Sequence, residues 1–160
     1  MAETKIDQAS TRPIKPGPHE AKPPPARRRR PPAARVALIH GAYLVAGGLW
    51  PILDLRSFMA TGPKLEGWLP KGVGACMANI GAALAAAGVR GKVARELRIL
   101  GVTTALSFAT MDFWYAGVRR RISRVYLFNG VAQLGFAAAW AFAEWRESRD
   151  GRRLPEAAFA

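Results

Sequence analysis

Apolar residues are concentrated in four stretches of 18 to 20 residues that lack charged side chains, apart from Asp112 in the third. A helix on the surface of a soluble bundle would show polar residues every third or fourth position along its wet face. Uninterrupted apolar runs of about 20 residues instead match the helical span of a bilayer core. We therefore predict four transmembrane helices. The predicted spans, two of which extend slightly beyond the charge-free stretches to include Asp54 and Glu144, are 36–55, 72–89, 99–118 and 125–144.

The second of these stretches has the weakest membrane signal. Eleven of the eighteen residues in 72–89 are Ala or Gly, which favour membrane insertion less than Leu, Ile or Phe do. A buried helix of a soluble protein is therefore the alternative for this segment. If it does insert, small residues would let a neighbouring helix approach closely. The predicted packing face consists of Gly72, Ala75, Ala82, Ala83 and Ala86.

Residues 1–35 are a different kind of sequence. They hold eight of the 12 prolines and nine basic residues, with only three acidic ones. Such a segment has too few apolar side chains to form a core, and its prolines disrupt helices and sheets. We expect a disordered arm at 1–35, a four-helix up-and-down transmembrane bundle at 36–145 and a polar tail at 146–160. The predicted fold class is all-α.

The net charge of +13 on 160 residues would suit a nucleic-acid-binding protein, but the charge lies mainly outside the apolar stretches. The arginine run Arg27, Arg28, Arg29 and Arg30 has no aromatic residues interleaved with it, so stacking on bases is disfavoured. Attraction to anionic lipid headgroups explains this run better. A proline-rich ligand for a cytoplasmic partner is the second interpretation of the arm.

The distribution of Lys and Arg predicts how the helices are oriented. With the N-terminus in the cytoplasm, seventeen basic residues lie inside and seven outside. The positive-inside rule then favours cytoplasmic N- and C-termini in a bacterial inner membrane. The loop at 119–124 conflicts with this arrangement, because its four arginines would face outward. Either they snorkel into the headgroups or the last helical hairpin is irregular.

Polar residues inside the predicted spans are the candidate functional groups, because polar side chains are costly in lipid. Four of them fall at similar depths and predict a polar layer in the outer half of the bundle. A second set follows helical spacing on the first helix and forms one stripe facing its neighbours. The layer consists of Asn79, Asp112, Asn129 and Gln133, and the stripe of His40, Tyr43, Trp50 and Asp54.

Two functions fit such a layer. It could hold the helices together by hydrogen bonds. Alternatively, it could line a cavity where Asp112 binds a small polar solute or a cation, or takes up a proton, with the amides as neutral ligands. If an arginine pairs with Asp112, the strongest candidate is Arg119, two helical turns further along the same face.

Signatures of catalysis and of cofactor binding are missing from the sequence. It has no nucleophile elbow, zinc-protease motif or phosphate-binding loop, and two histidines are too few for a multi-histidine metal or haem site. Cys76 lies among alanines and is interpreted as a small packing residue. We expect neither an enzyme nor a cofactor.

Several short motifs resemble a family of small, uncharacterised bacterial four-helix membrane proteins. They cover roughly residues 36–145, and the resemblance implies a four-helix membrane fold but no activity. It also implies acidic residues at positions 129 and 133, where this chain has amides. The motifs are Gly48-Leu49-Trp50-Pro51, Arg56-Ser57-Phe58, Thr61-Gly62-Pro63-Lys64, Trp68-Leu69 with Lys71, Val73 and Gly74, Asp112 with Tyr115, and Ile122-Ser123 with Val125 and Tyr126.

We therefore expect an integral membrane protein with a non-catalytic structural or accessory role, possible partners being a second copy or another membrane protein. The alternative function is binding or transport of a small polar solute or lipid at the layer around Asp112.

Overall fold

The computed structural model describes residues 30–60 and 66–152. Most of the predicted arm, with Arg27 to Arg29, lies outside these residues, as does the Thr61-Gly62-Pro63-Lys64 motif. All the regular secondary structure of these residues is helical, which confirms the all-α prediction. Its helices are α1 (Pro32–Leu53), α2 (Leu55–Ala60), α3 (Trp68–Arg90), α4 (Arg95–Asp112) and α5 (Val125–Arg152), and a π-helical segment, Phe113–Val118, directly follows α4.

The first and last helices are longer than the sequence pattern indicates. α1 begins at Pro32, inside the predicted arm, because proline suits the first helical position, where no amide hydrogen bond is lost. α5 continues to Arg152, into the expected polar tail. Glu147 in this additional stretch accepts a hydrogen bond from the Ala33 amide at 3.1 Å and pairs with Arg98 at 2.7 Å. These contacts hold the end of α5 against α1 and α4.

Three helices are long and apolar enough to span a membrane. Their ranges are Pro32–Leu53, Trp68–Arg90 and Val125–Asp150. α4 is not among them, because its 18 residues include Arg95, Glu96, Arg98 and Asp112. The four long helices are therefore present, and three of them carry a clear membrane signal.

The long helices pack in the order α3, α1, α5, α4, and α3 hardly touches α4. Each neighbouring pair is antiparallel, as contacts such as His40 with Gln133 and Arg98 with Glu144 show. We call the end of the bundle near Ala33 and Glu147 the proximal end, and the end near Asp54 and Trp68 the distal end. The space between α3 and α4 stays open toward the distal end.

α1 and α3 pack through small residues spaced seven apart. Gly48 meets Gly74, Gly41 meets Gly81, and Ala34 meets Gly88 along this seam. A Cβ atom added to any of these five glycines would lie less than 3 Å from backbone of the opposite helix. A seven-residue repeat is the period that keeps one seam continuous between two α-helices. The backbones therefore meet directly, with no room for larger side chains.

The packing face that we predicted for this helix is not the side that packs against α1. Gly72, Ala75, Ala82 and Ala83 are exposed, Ala86 is partly buried, and a Cβ on Gly72 would meet nothing within 4 Å. Small residues occur on every side of α3, so their presence alone could not identify the buried side. Gly74, Gly81 and Gly88 occupy that side, because they match the glycines and Ala34 of α1 in register.

Candidate functional site

Two short chains of hydrogen bonds cross the interface between α1 and α5. The first begins at Trp140, whose indole Nε1 donates to Nδ1 of His40 at 3.2 Å. Because an indole nitrogen only donates, Nδ1 must be the unprotonated nitrogen of a neutral imidazole. The proton is then on Nε2, which donates to Oε1 of Gln133 at 3.2 Å. His40 and Gln133 are both fully buried.

The second chain lies one helical turn closer to the distal end. The Tyr43 hydroxyl donates to Oδ1 of Asn129 at 2.5 Å, and Nδ2 of Asn129 donates to Oδ2 of Asp112 at 2.6 Å. Asp112 is buried, with 6% of its surface exposed. The chain therefore runs from Tyr43 through Asn129 to this carboxylate, which ends it as an acceptor.

Phe136 lies between the two chains. Its ring stacks on His40 with centroids 4.4 Å apart and contacts Tyr43 at 5.2 Å in a tilted geometry. These are normal spacings for favourable aromatic pairs. The α1 ring systems are thus fixed from the α5 side by both stacking and hydrogen bonds.

The side-chain amide of Gln133 is only half satisfied. Its oxygen accepts from His40, whereas its nitrogen is buried with no hydrogen-bond partner within residues 30–60 and 66–152. An unpaired buried donor typically costs about 1–3 kcal/mol. Gln133 therefore contributes less to stability than its position in the chain of hydrogen bonds suggests.

A cavity of about 770 Å³ opens between the two helical hairpins in the distal half of the bundle. Its lining is mostly apolar, and Tyr43, Asn129 and Asp112 form its polar wall. The volume is typical of sites that bind small molecules. The apolar lining includes Trp50 and Gly47 of α1, Phe58 of α2, Val73 and Met77 of α3, Phe108 and Met111 of α4, and Tyr126 and Phe128 of α5.

The predicted polar layer divides into three parts. Asp112 and Asn129 are in direct contact at the cavity wall. Gln133 lies one turn deeper and bonds to His40 instead. Asn79 is exposed on α3, and no hydrogen bond among the described residues joins it to the others. Two residues of the four thus line one site.

The stripe predicted on α1 also divides. His40 and Tyr43 face α5, whereas the distal part forms the junction with α2. There the Trp50 indole donates to Oγ of Ser57 at 3.2 Å. Oδ1 of Asp54 accepts from the Ser57 amide at 3.0 Å. The distal stripe residues therefore stabilise a turn, although Trp50 also lines the cavity.

Arg119 is not the partner of Asp112. The Arg119 side chain is exposed, and the carboxylate bonds to Asn129 instead. The reason is the π-helical segment, in which the Arg119 amide donates to the carbonyl of Trp114, five residues earlier, at 2.8 Å. A π-helical turn is wider than an α-helical turn, so residues seven apart no longer share a face. The last helical connection is irregular, as one of our two interpretations held, and Arg120 adopts a positive φ of 48° there.

Sequence reasoning missed Phe136 and Trp140. Together with Asn129 and Gln133 they are spaced four, three and four residues apart, which places all four on one face of α5. The same spacing identified the stripe on α1. A search for polar and aromatic residues at helical spacing, rather than polar residues alone, would have found the facing stripe.

The proximal end of the bundle is held by an ion-pair cluster. Nη1 of Arg98 lies 2.7 Å from carboxylate oxygens of both Glu144 and Glu147. Nε of Arg98 donates to the carbonyl of Val93 at 3.3 Å. One guanidinium thus links α4, α5 and the connection between α3 and α4.

The described residues contain no cluster of three His, Cys, Asp or Glu side chains that could hold a metal ion. Cys76, which we interpreted as a packing residue, is exposed on α3. No family model, curated protein or solved structure matches the chain. The resemblance to a bacterial membrane protein family therefore stays a prediction, and the geometry of the site has to carry any functional conclusion.

Proposed function

We propose that this protein is a non-catalytic integral membrane protein that binds an amphipathic small molecule or lipid in its distal cavity. The observation that carries the proposal is the cavity itself, an apolar space of about 770 Å³ with Asp112, Asn129 and Tyr43 on one wall. An apolar pocket with a few convergent polar groups is the usual form of a small-molecule site. A ligand with an apolar body and a polar group matches both parts.

Three helices are long and apolar enough to span a membrane, and we propose that α4 spans it as well. α4 and the π-helical segment together cover 95–118, and residues 99–118 of this stretch contain only one charge, Asp112. Large apolar side chains also cover the outer surface of the bundle, among them Ile39 and Val131, each 61% exposed. Contact with lipid chains would stabilise such apolar surfaces, whereas their exposure to water is unfavourable.

The polar wall favours a ligand that donates hydrogen bonds. Asn129 already uses its oxygen for Tyr43 and one N–H for Asp112. A carboxylate has about four acceptor positions, and a tyrosine oxygen that donates its proton still accepts. The wall therefore offers mainly acceptors, and an amine or a hydroxyl is the group that complements it.

The test compares single-chain amphipaths with identical tails, namely dodecylamine, dodecanol and dodecanoate, added to the purified protein in detergent. We expect dodecylamine to raise the melting temperature most and dodecanoate least. Asp112→Asn should abolish the preference for the amine, and Ala46→Phe, which fills the cavity from α1, should weaken all three ligands. Equal shifts for the three probes in the wild-type protein would contradict the proposal, as would an unchanged preference in Asp112→Asn.

A structural role through self-association is the second candidate function. It is favoured by the exposed small residues of α3, because Gly72, Ala75, Ala82 and Ala83 leave a flat face that is not used against α1. Faces of small residues commonly bring membrane helices together. Ala75→Leu with Ala82→Leu should then reduce the oligomer mass in detergent without lowering the melting temperature. A monomeric wild-type protein would exclude this role and leave the ligand-binding proposal intact.

The proposed topology places the proximal end, with both termini, in the cytoplasm of a bacterial inner membrane. The arginines Arg27 to Arg30 would then lie near anionic headgroups of the inner leaflet. Single cysteines at positions 64 and 121, introduced after Cys76→Ala, should react with a membrane-impermeant thiol reagent from outside. Protection at position 121 would reverse the arrangement of the last hairpin.

A further inference from the structure

A second crevice lies between α4 and α5 at the proximal end, away from the cavity at Asp112. Its volume is about 330 Å³. It follows the helices from Arg95 to Thr103, a distance of about 12 Å at 1.5 Å per residue. The walls are formed by Ile99 and Val102 of α4 and by Ala137 and Ala141 of α5. The crevice is therefore elongated along the helices and mainly apolar.

The few polar atoms on the walls are already satisfied within the protein. The Thr103 hydroxyl bonds to the carbonyls of Ile99 and Leu100 at 2.9 and 3.2 Å. Nε1 of Trp140, whose ring closes the crevice, donates to His40. Since no polar group on the walls needs a partner, an apolar chain fits the interior best.

The charged side chains at the mouth of the crevice differ in how they are paired. Arg98 and Glu144 both reach the mouth, but they are paired with each other, and Glu147 shares the same guanidinium. Arg95 also lines the mouth, is exposed, and has no ion pair within the part of the chain that the structure describes. Arg95 therefore offers a guanidinium above the apolar slot that is unpaired among the described residues, next to a cluster in which two carboxylates share the guanidinium of Arg98.

We propose that this crevice binds an anionic phospholipid, with the phosphate at Arg95 and the upper part of one acyl chain between α4 and α5. Basic pockets between helices on the cytoplasmic side are typical sites for anionic lipid headgroups. The site is distinct from the distal cavity, and it rests only on the membrane placement of α4 and α5. In the proposed topology the lipid belongs to the inner leaflet.

The test uses native mass spectrometry of the full-length protein in detergent, titrated with phosphatidylglycerol and phosphatidylcholine of identical acyl chains. We expect the wild-type protein to bind phosphatidylglycerol more tightly. Arg95→Gln should weaken that binding about fivefold, as expected for one basic residue at a membrane surface, and should leave phosphatidylcholine unaffected. Arg90→Gln, an exposed arginine outside the crevice, is the charge-matched control and should have no effect.

A second pair of variants tests the apolar slot. Ala141→Phe fills the crevice and should reduce binding of phosphatidylglycerol, whereas Ala138→Phe, on an exposed face of α5 that does not line it, should not. Inorganic phosphate should not compete, because the acyl chain is part of the ligand. Equal binding of the two lipids, or equal losses in Arg95→Gln and Arg90→Gln, would overturn the proposal. A failure of α4 or α5 to insert into the membrane is measured separately by cysteine labelling. In that case single cysteines introduced into the predicted spans would react with the impermeant thiol reagent.

Discussion

The two faces of α1 are held by opposite kinds of interaction. Toward α3, Gly41 and Gly48 bring two backbones together with no side chain between them. Toward α5, His40 and Tyr43 reach across with hydrogen bonds and ring stacking. The glycine face tolerates almost no added atom, whereas the polar face has partners that can rearrange. Shape therefore fixes one neighbour of α1, and polar pairing selects the other.

This difference also explains where the cavity lies. The glycine seam draws α3 tightly onto α1, and larger side chains such as Phe136 and Trp140 set the spacing between α1 and α5. α3 consequently stays far from α4, and the distal space between them is left open. Close packing of α3 on α1 thus accompanies an open space between α3 and α4 in the distal half.

The largest expected effect comes from adding a side chain to the glycine face of α1. Gly41→Leu would drive carbon atoms into the backbone of Gly81 and Ala85. Overpacking of this kind typically costs 1–3 kcal/mol, and rigid backbone on both sides predicts at least about 3 kcal/mol here. The free energy of unfolding, measured by titration with sodium dodecyl sulfate in mixed micelles, should fall by that amount or the bundle should not assemble.

Gly72→Ala is the matched control for this glycine substitution. A Cβ at Gly72 meets nothing within 4 Å, so helix propensity alone should stabilise the protein by up to about 1 kcal/mol. A loss of stability in Gly72→Ala, or no loss in Gly41→Leu, would contradict the close backbone packing of α1 on α3.

The second substitution removes the centre of the polar face. His40→Leu leaves the Trp140 nitrogen and the Gln133 oxygen buried without their partner. We expect a loss of about 2 kcal/mol, because each abandoned group costs desolvation free energy. The same micelle titration measures it, with the exposed neighbour Ile39→Ala as control. A loss smaller than that of the control would mean that the interface repacks around leucine.

The smallest expected effect comes from the hydroxyl of Tyr43. Tyr43→Phe keeps the ring against Phe136 and removes only the hydrogen bond to Asn129. Interhelical hydrogen bonds in membrane bundles average about 0.6 kcal/mol, so we expect a loss of that size. A double-mutant cycle with Asn129→Ala measures the coupling directly. A coupling above about 2 kcal/mol would make the polar face as decisive as the glycine face.

Particular residues show how far the sequence pattern reaches. The stripe of His40 and Tyr43 correctly pointed to a face in contact with another helix, because helical spacing is a local property. Asp112 and Asn129 were grouped by counting depth from the helix ends, and they do meet. Asn79 was grouped in the same way and is exposed. The position of a residue along its helix can be estimated from the sequence. Whether that residue faces another helix depends on which helices pack against which side.

The sequence by itself determined that residues 30–60 and 66–152 are mainly helical and that long apolar stretches can cross a membrane, since both follow from local hydrophobicity and length; three of the four predicted spans coincide with helices that are long and apolar enough to do so. Only the tertiary structure decided which glycines of α3 are buried, because small residues lie on all of its sides and the register with Gly41 and Gly48 selects among them. It also decided that Arg119 turns away from Asp112, since the π-helical segment changes the angle per residue. These outcomes depend on contacts between distant parts of the chain, and a local pattern does not contain them.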